Sequence, residues 1–146
     1  MNYGLQEVFM NKVLTDYFCG GYPLYVGLGL SNQGASENVD MFVEPNEEGN
    51  GYSKVLLGTC TLPNDGVTYN ASSISFPTAE KDWTVDSQVI DKLGIFTATE
   101  NVAADGTRTT NYTLWCVLPL VPAEKVLAGD TVVINANAIR LQLTNR

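Results

Sequence analysis

The first twenty residues carry apolar side chains at helical spacing. One apolar side chain recurs every fourth residue, at Leu5, Phe9, Val13 and Tyr17. This repeat places them on one face of an α-helix. The pattern predicts an amphipathic helix over residues 2–18, in an N-terminal segment 1–20 that ends near a pair of glycines. The apolar face would pack either on the rest of the chain or on a neighbouring subunit.

From residue 23 onward the apolar repeat changes from helical spacing to alternation. In residues 23–30, leucine and valine side chains alternate with Tyr25, Gly27 and Gly29. Such alternation is typical of a strand with one buried face. The glycines on the opposite face would let another backbone or a large aromatic ring approach closely. The segment is therefore predicted to be a strand.

Further strand-like segments follow, each bounded by turn residues. They cover residues 52–62, 67–76, 89–98, 111–121, 131–134 and 139–143. Turn signals lie at Pro63-Asn64-Asp65-Gly66, in a polar tip over residues 101–110, and at Asn135-Ala136-Asn137. The last of these turns predicts a hairpin between the final two segments.

One helix and about seven strands with frequent turns predict a mainly β fold. The expected architecture is an antiparallel β-sandwich with an N-terminal amphipathic α-helix. The chain has 146 residues and shows no internal repeat or linker. A single domain over residues 1–146 is therefore expected.

Residues 31–51 form a long polar segment that carries carboxylates and no cation. Loops of this length usually bind something or are disordered, and functional residues concentrate in loops. The spacing of the carboxylates matches no EF-hand pattern, so a solvated acidic loop is favoured over a calcium site. The candidate partner-contact residues are those of this loop and two aromatic residues beyond it: Glu37, Asp40, Phe42, Glu44, Glu47, Glu48, Tyr52 and Trp83.

The formal net charge is −8, with only eight lysines and arginines. Nucleic acids and anionic lipid surfaces are bound mainly through basic side chains, so neither is an expected partner. Charged residues make up 16% of the chain, which is below the usual fraction of about 25%. A neutral surface of this kind suits contacts with other proteins.

The sequence offers little catalytic chemistry. It contains no histidine, the commonest general base and metal ligand. Cys19, Cys60 and Cys116 match neither a disulfide framework nor a zinc site, and buried thiols are expected. The N-terminus shows no signal-peptide pattern, which favours synthesis in a reducing cytoplasm. We expect no enzymatic activity, no cofactor and no metal.

Two glycosylation sequons and several aromatic residues complete the candidate chemistry. Asn70 and Asn111 each begin a formal sequon, which a protein made in the cytoplasm would not use. Aromatic side chains expected to be exposed could stack on sugar rings: Tyr22, Tyr25, Tyr52, Tyr69 and Trp83.

The order of several short segments resembles a known family. These are Leu24-Tyr25-Val26-Gly27-Leu28, Glu44-Pro45, Gly51-Tyr52-Ser53, residues 70–79, Asp82-Trp83, Leu93-Gly94-Ile95-Phe96 and Ala128-Gly129-Asp130-Thr131-Val132. Together they are similar to small virion proteins of tailed bacteriophages that are commonly labelled "tail fibre protein". The chain departs from the family at Thr84, where members usually have glycine, and in longer segments at 84–92 and 118–127.

The resemblance implies a non-enzymatic structural protein of the virion, made in the host bacterial cytoplasm. Its partners would be other virion proteins, in a multi-copy assembly. A compact domain without a repetitive stalk favours a capsid decoration or cement protein, bound to the major capsid protein. A tail fibre or baseplate component is the alternative within the virion. A host-glycan-binding module is the alternative from a different class.

Overall fold

A computed structural model describes residues 11–15, 23–32 and 42–142 of the chain. The fold of these residues is mainly β, as the sequence predicts, and they contain almost no helix. The strands are β1 (Leu24–Asn32), β2 (Val55–Leu56), β3 (Val67–Tyr69), β4 (Ile74–Ser75), β5 (Gln88–Val102), β6 (Arg108–Glu124), β7 (Val133–Ile134) and β8 (Arg140–Gln142). Residues 11–15 are helical, and the rest of the predicted helix lies outside the described residues.

The strands form one larger sheet and two small ones. The larger sheet has the order β2-β1-β5-β6, and the others pair β3 with β8 and β4 with β7. Strands β5 and β6 are antiparallel, as are β3 and β8. Within the described part of the chain, β6 therefore occupies an edge of the larger sheet.

The residues group into two compact units. The first contains Met1–Leu24, Leu56–Ile74 and Val133–Arg146, and the second contains Tyr25–Val55 and Ser75–Val132. The core of the first unit includes Leu14, Leu57, Ile139 and the polar residues Thr68 and Asn70. The core of the second includes Val26, Leu28, Ile90, Ile95 and Trp83. A single domain remains a prediction.

Strand β1 confirms the prediction made from alternating residues. Val26 and Leu28 are fully buried on one face. The strand continues two residues beyond the predicted end, to Asn32, and Leu30 pairs with Val43, whose carbonyl accepts its N–H at 2.7 Å. The loop predicted over residues 31–51 therefore begins two residues later and is interrupted by the bridge at Val43, and residues 33–41 lie outside the described part.

The hairpin formed by β5 and β6 is longer than the predicted strands. The predicted polar tip, residues 101–110, is reduced to a turn over residues 103–107. Ala103 and Thr107 pair across this turn at 2.8 Å, and Gly106 has a φ of +87°. The flanking threonines continue the ladder, since Thr110 and Thr109 pair with Glu100 and Asn101. Threonine favours strands even in a polar segment.

The predicted hairpin between residues 131–134 and 139–143 is wrong. A turn is present, with Asn137 at a φ of +65°, but β7 pairs with β4 and β8 pairs with β3. The reason is Asn70, whose side chain donates to Asn135 O at 2.9 Å and accepts from Ile139 N at 2.8 Å. Those backbone groups flank the turn, and each bonds to the Asn70 side chain, where a hairpin would pair the two strands with each other.

The strands predicted over residues 52–62 and 67–76 are confirmed only in part. Only Val55–Leu56 is a strand in the first segment, because Gly58 has a φ of +79° and breaks the extended conformation. The second segment divides into β3 and β4. The turn predicted before it is confirmed, since Asp65 and Gly66 both have positive φ, at 53° and 73°.

Candidate partner-contact site

A polar network occupies the glycine face of β1 in the second unit. The hydroxyl of Tyr52 donates to Glu44 Oε1 at 2.5 Å and accepts from the backbone N–H of Leu28 at 3.0 Å. Tyr52 is 3% exposed, so its hydroxyl has two partners in a buried position. The hydrogen bonds fix Glu44 against β1, although the sequence placed this carboxylate in a solvated loop.

Lys54 completes the network on the other side of Glu44. Its ammonium group lies 2.9 Å from Glu44 Oε2, and the two side chains are 9% and 20% exposed. The ammonium also lies 4.9 Å from the centre of the Phe96 ring and 4.4 Å from that of Tyr112. Aromatic faces attract a cation at these distances. Lys54 therefore has a carboxylate and two rings as partners, with Glu47 Oε1 at 3.7 Å.

The predicted close approach at the glycines of β1 is confirmed. A methyl group at Gly27 would lie 2.5 Å from Glu44 Oε1 and 2.8 Å from the ring of Phe96. A methyl group at Gly29 would lie 2.7 Å from the ring of Phe42. These separations are shorter than van der Waals contact, so the absence of side chains at both positions is what admits the network.

Trp83 anchors the segment that leads into the network. Its indole Nε1 donates to Asn50 O at 2.8 Å, and this carbonyl also accepts from Glu80 N at 3.0 Å. The Trp83 ring packs at 5.3 Å against Tyr52. The adjacent Thr84, at the family's glycine position, is 2% exposed and its hydroxyl accepts from Val126 N at 3.1 Å. Trp83 is therefore a buried anchor for the segment around Asn50.

Burial raises the pKa of Tyr52 well above its usual value near 10, and the hydrogen bond to the Glu44 carboxylate adds to the shift. The folded state thus holds the Tyr52 proton more tightly than the unfolded state. The stability due to this group is complete below pH 10 and is lost as the pH rises further.

We expect Tyr52→Phe to remove this pH dependence. Between pH 10 and pH 11, the wild-type free energy of unfolding should fall relative to that of the variant by about 1 kcal/mol, because the unfolded-state tyrosine ionises progressively across this interval. Urea denaturation of both proteins at several pH values measures the difference. A difference that stays constant from pH 9 to pH 11 would contradict the assignment.

Only some of the predicted contact residues lie close together in the structure. Phe42, Glu44 and Tyr52 lie in or beside the network, and Phe42 packs at 5.6 Å against Phe96. Glu47 and Glu48 are exposed. Glu37 and Asp40 lie outside the described residues.

The expectation that Tyr52 and Trp83 are exposed is wrong. Each is 3% exposed, because glycines and the Asn50 turn leave room for their rings inside the second unit. Neither ring is available to stack on a sugar. A partner would have to contact the residues around them.

A second candidate contact element lies in the β5–β6 hairpin. Every residue from 99 to 115, here called the hairpin arm, is exposed. The arm comprises the end of β5, the turn and the first half of β6. Over residues 99–111 both paired strands are exposed, whereas the Tyr112 ring packs on Phe96 and Lys54. Hydrogen bonds from Thr107 lower the pKa of Asp105 in the turn. Much of this segment was predicted to be a polar loop tip, so the arm was not among the predicted contact elements.

The apolar part of the exposed surface continues along β6. Leu114, Trp115 and Val117 are 37%, 48% and 45% exposed. Ile95 pairs with Cys116 and Phe96 with Leu114, so Trp115 is an extra residue that forms a bulge. Residues 109–118 contain no charge and no proline. Edge strands commonly carry such residues to prevent further pairing, and this stretch of β6 lacks both.

Comparisons with known proteins add no relative. No protein-family model matches the chain, and no curated protein matches it significantly. Across the described residues, no three cysteine or carboxylate side chains form a group that could hold a metal ion. In the same part of the chain, no helix is long and apolar enough to cross a membrane.

Proposed function

We propose that the chain is a non-enzymatic structural protein of a bacteriophage virion, built as a β-sandwich and acting as a capsid decoration or cement protein. Two lines of support lead to this proposal. One is the resemblance of its ordered segments to small phage virion proteins. The other is the hairpin arm, the observation that carries the proposal.

Binding to a partner would stabilise the hairpin arm. An isolated two-stranded ribbon is marginally stable in water, because neither face is covered by a core. Residues 99–111 are exposed in both paired strands. The cross-strand pairs and one exposed ion pair, Arg108 to Glu100 at 2.8 Å, hold it together. Exposed ion pairs contribute little to stability. Docking on another protein would bury the arm and supply the missing contacts.

The chemistry of β6 matches a protein partner. Residues 109–118 form an uncharged outer edge that can accept a further strand through backbone hydrogen bonds, and the exposed side chains beside it can enter apolar pockets. The chain as a whole has a net charge of −8, so contacts through a neutral strand avoid repulsion between neighbouring acidic copies. These properties suit a protein present in many copies on a shell.

The test is to shorten the arm in the phage that encodes the chain. Ala98 and Tyr112 are directly paired, so residues 99–111 can be replaced by a two-residue Asn-Gly turn. We expect the shortened protein to fold, because the removed residues are exposed. Its copy number on purified particles should fall about tenfold or more, as expected for losing a main docking element. Particles should then release DNA at a lower temperature.

Leu127→Ser is the matched control, because Leu127 is 48% exposed in the same unit and lies outside the arm. It should leave copy number and particle stability unchanged. Wild-type occupancy by the shortened protein would exclude the arm as the docking element. Particles without the protein that are as heat-resistant as complete ones would exclude a cement role. Labelled copies found on the tail would contradict the cement role and support a tail or baseplate role.

A further inference from the structure

The first unit carries a surface groove whose floor is the outer face of the β3–β8 pair. Tyr69 lies opposite Arg140, and Val67 lies opposite Gln142. These side chains point away from the core, since the intervening Thr68 is fully buried. The four residues therefore form a flat floor that combines an aromatic ring with planar polar groups.

The turn before β3 forms the wall of the groove. Leu62, Asn64 and Asp65 line it, and the groove has a volume of about 440 Å³. Leu62 is 89% exposed. A leucine at the rim of a polar groove places apolar surface where a bound molecule would cover it.

Backbone hydrogen bonds fix the wall and the floor before any ligand arrives. Asn64 and Val67 exchange two hydrogen bonds of 3.0 Å across the Asp65-Gly66 turn. The N–H of Tyr69 donates to Thr61 Oγ1 at 3.0 Å. Such preorganisation reduces the entropy that binding would cost.

The groove offers both hydrogen-bond donors and acceptors around one aromatic ring. Arg140 supplies donors, Asp65 supplies acceptors, and Asn64 supplies both. Arg140 Nη1 donates to the side-chain oxygen of Gln142 at 2.5 Å, which orients the guanidinium and leaves the Gln142 amide nitrogen as a donor. A purely apolar ligand would leave these groups unpaired, at a cost. An anion would face the Asp65 carboxylate and the net charge of −8.

We propose that this groove binds a neutral pyranose sugar. One face of the sugar ring would pack on Tyr69 and Leu62, and its hydroxyls would bridge Asp65, Arg140 and Gln142. Hydroxyls both donate and accept, so they suit the mixed lining. This binding activity goes beyond the assembly function and does not depend on the hairpin arm, which lies in the other unit.

Saturation-transfer NMR with the full chain tests the proposal. The probes are the methyl glycosides of glucose, galactose, mannose and N-acetylglucosamine. We expect at least one to bind with a dissociation constant on the order of 1 mM, as fits a small ligand in an open site. Tyr69→Ala should weaken that binding about tenfold or more.

Two milder variants keep the test valid if Tyr69→Ala fails to fold. Asp65→Asn removes the carboxylate but tolerates the positive φ of 53°, and Leu62→Ser changes a side chain that buries almost nothing. Both should weaken binding severalfold. Val133→Ser is the control, because Val133 is 48% exposed in the same unit and lies outside the groove.

The proposal is overturned if none of the four glycosides shows saturable binding, or if both milder variants bind like the wild type. The same variants also separate this proposal from the assembly function. Groove variants should occupy particles normally, and the protein with the shortened arm should still bind the sugar. Failure of one proposal therefore leaves the other intact.

Discussion

Replacing Asn70 with leucine should lower the free energy of unfolding by about 3 kcal/mol or more. The Asn70 side chain is 1% exposed. It donates to Ser72 O at 3.0 Å and Asn135 O at 2.9 Å, and accepts from Ile139 N at 2.8 Å. Leucine removes all three hydrogen bonds and leaves the N–H of the buried Ile139 without this partner; each lost bond costs about 1 kcal/mol and a buried unsatisfied group about 1–3 kcal/mol. Urea denaturation of the full chain measures the loss.

Ser72→Ala is the matched control for this prediction. Only the backbone carbonyl of Ser72 bonds to Asn70, and the residue is exposed. The change also destroys the glycosylation sequon without touching Asn70. It should shift stability by less than about 0.5 kcal/mol.

The Asn70→Asp substitution tests the hydrogen-bond acceptor and the donor of the Asn70 side chain separately. Aspartate keeps an acceptor for Ile139 N but sets a second oxygen against two backbone carbonyls, in a buried place where a charge is costly. We expect a loss similar to that of the leucine variant. Near wild-type stability of the aspartate variant would show that the two donor bonds contribute little.

Asn70 also shows where local sequence patterns stop being informative. From the sequence it is only the first residue of a sequon. Its structural role depends on groups 65 and 69 residues further along the chain. The segments 131–134 and 139–143 have the composition of a hairpin, and a polar residue outside that window separates them. Such tertiary contacts override the local preference of strands.

Features set by neighbouring residues were predictable. The alternation in residues 23–30 predicted both the buried face of β1 and the close approach at Gly27 and Gly29. The Asp65-Gly66 turn followed from residue types that tolerate positive φ. In each case the physical cause lies within a few positions, so the sequence window contains it.

The candidate contact site was predicted less well, because charge alone does not reveal which side chains turn inward. Glu44 belongs to an acidic segment, yet its carboxylate meets Tyr52 and Lys54. The sequence of the hairpin arm does contain a strand signal. Residues 109–118 form a long run without charge or proline and rich in strand-favouring residues. A run of that kind indicates an extended strand more than a loop tip.

The second large loss of stability is expected when Glu44 is replaced. Glu44→Leu removes the carboxylate from Lys54, whose side chain is 9% exposed, and the acceptor from the Tyr52 hydroxyl. Breaking a buried ion pair by removing one partner costs about 3–5 kcal/mol. Because Glu47 and two aromatic rings still face the ammonium, we expect the lower end, about 3 kcal/mol.

A double-mutant cycle with Lys54→Met isolates the pair. Lys54→Met leaves Glu44 with the Tyr52 hydrogen bond, so it should cost less than Glu44→Leu. The double variant has no unpaired charge, and replacing a buried ion pair with apolar residues is often close to neutral. It should therefore be more stable than Glu44→Leu alone, with a coupling energy of about 2 kcal/mol. Additive losses would mean that Glu44 acts through Tyr52 alone, since only coupling to Lys54 makes the second substitution restore stability.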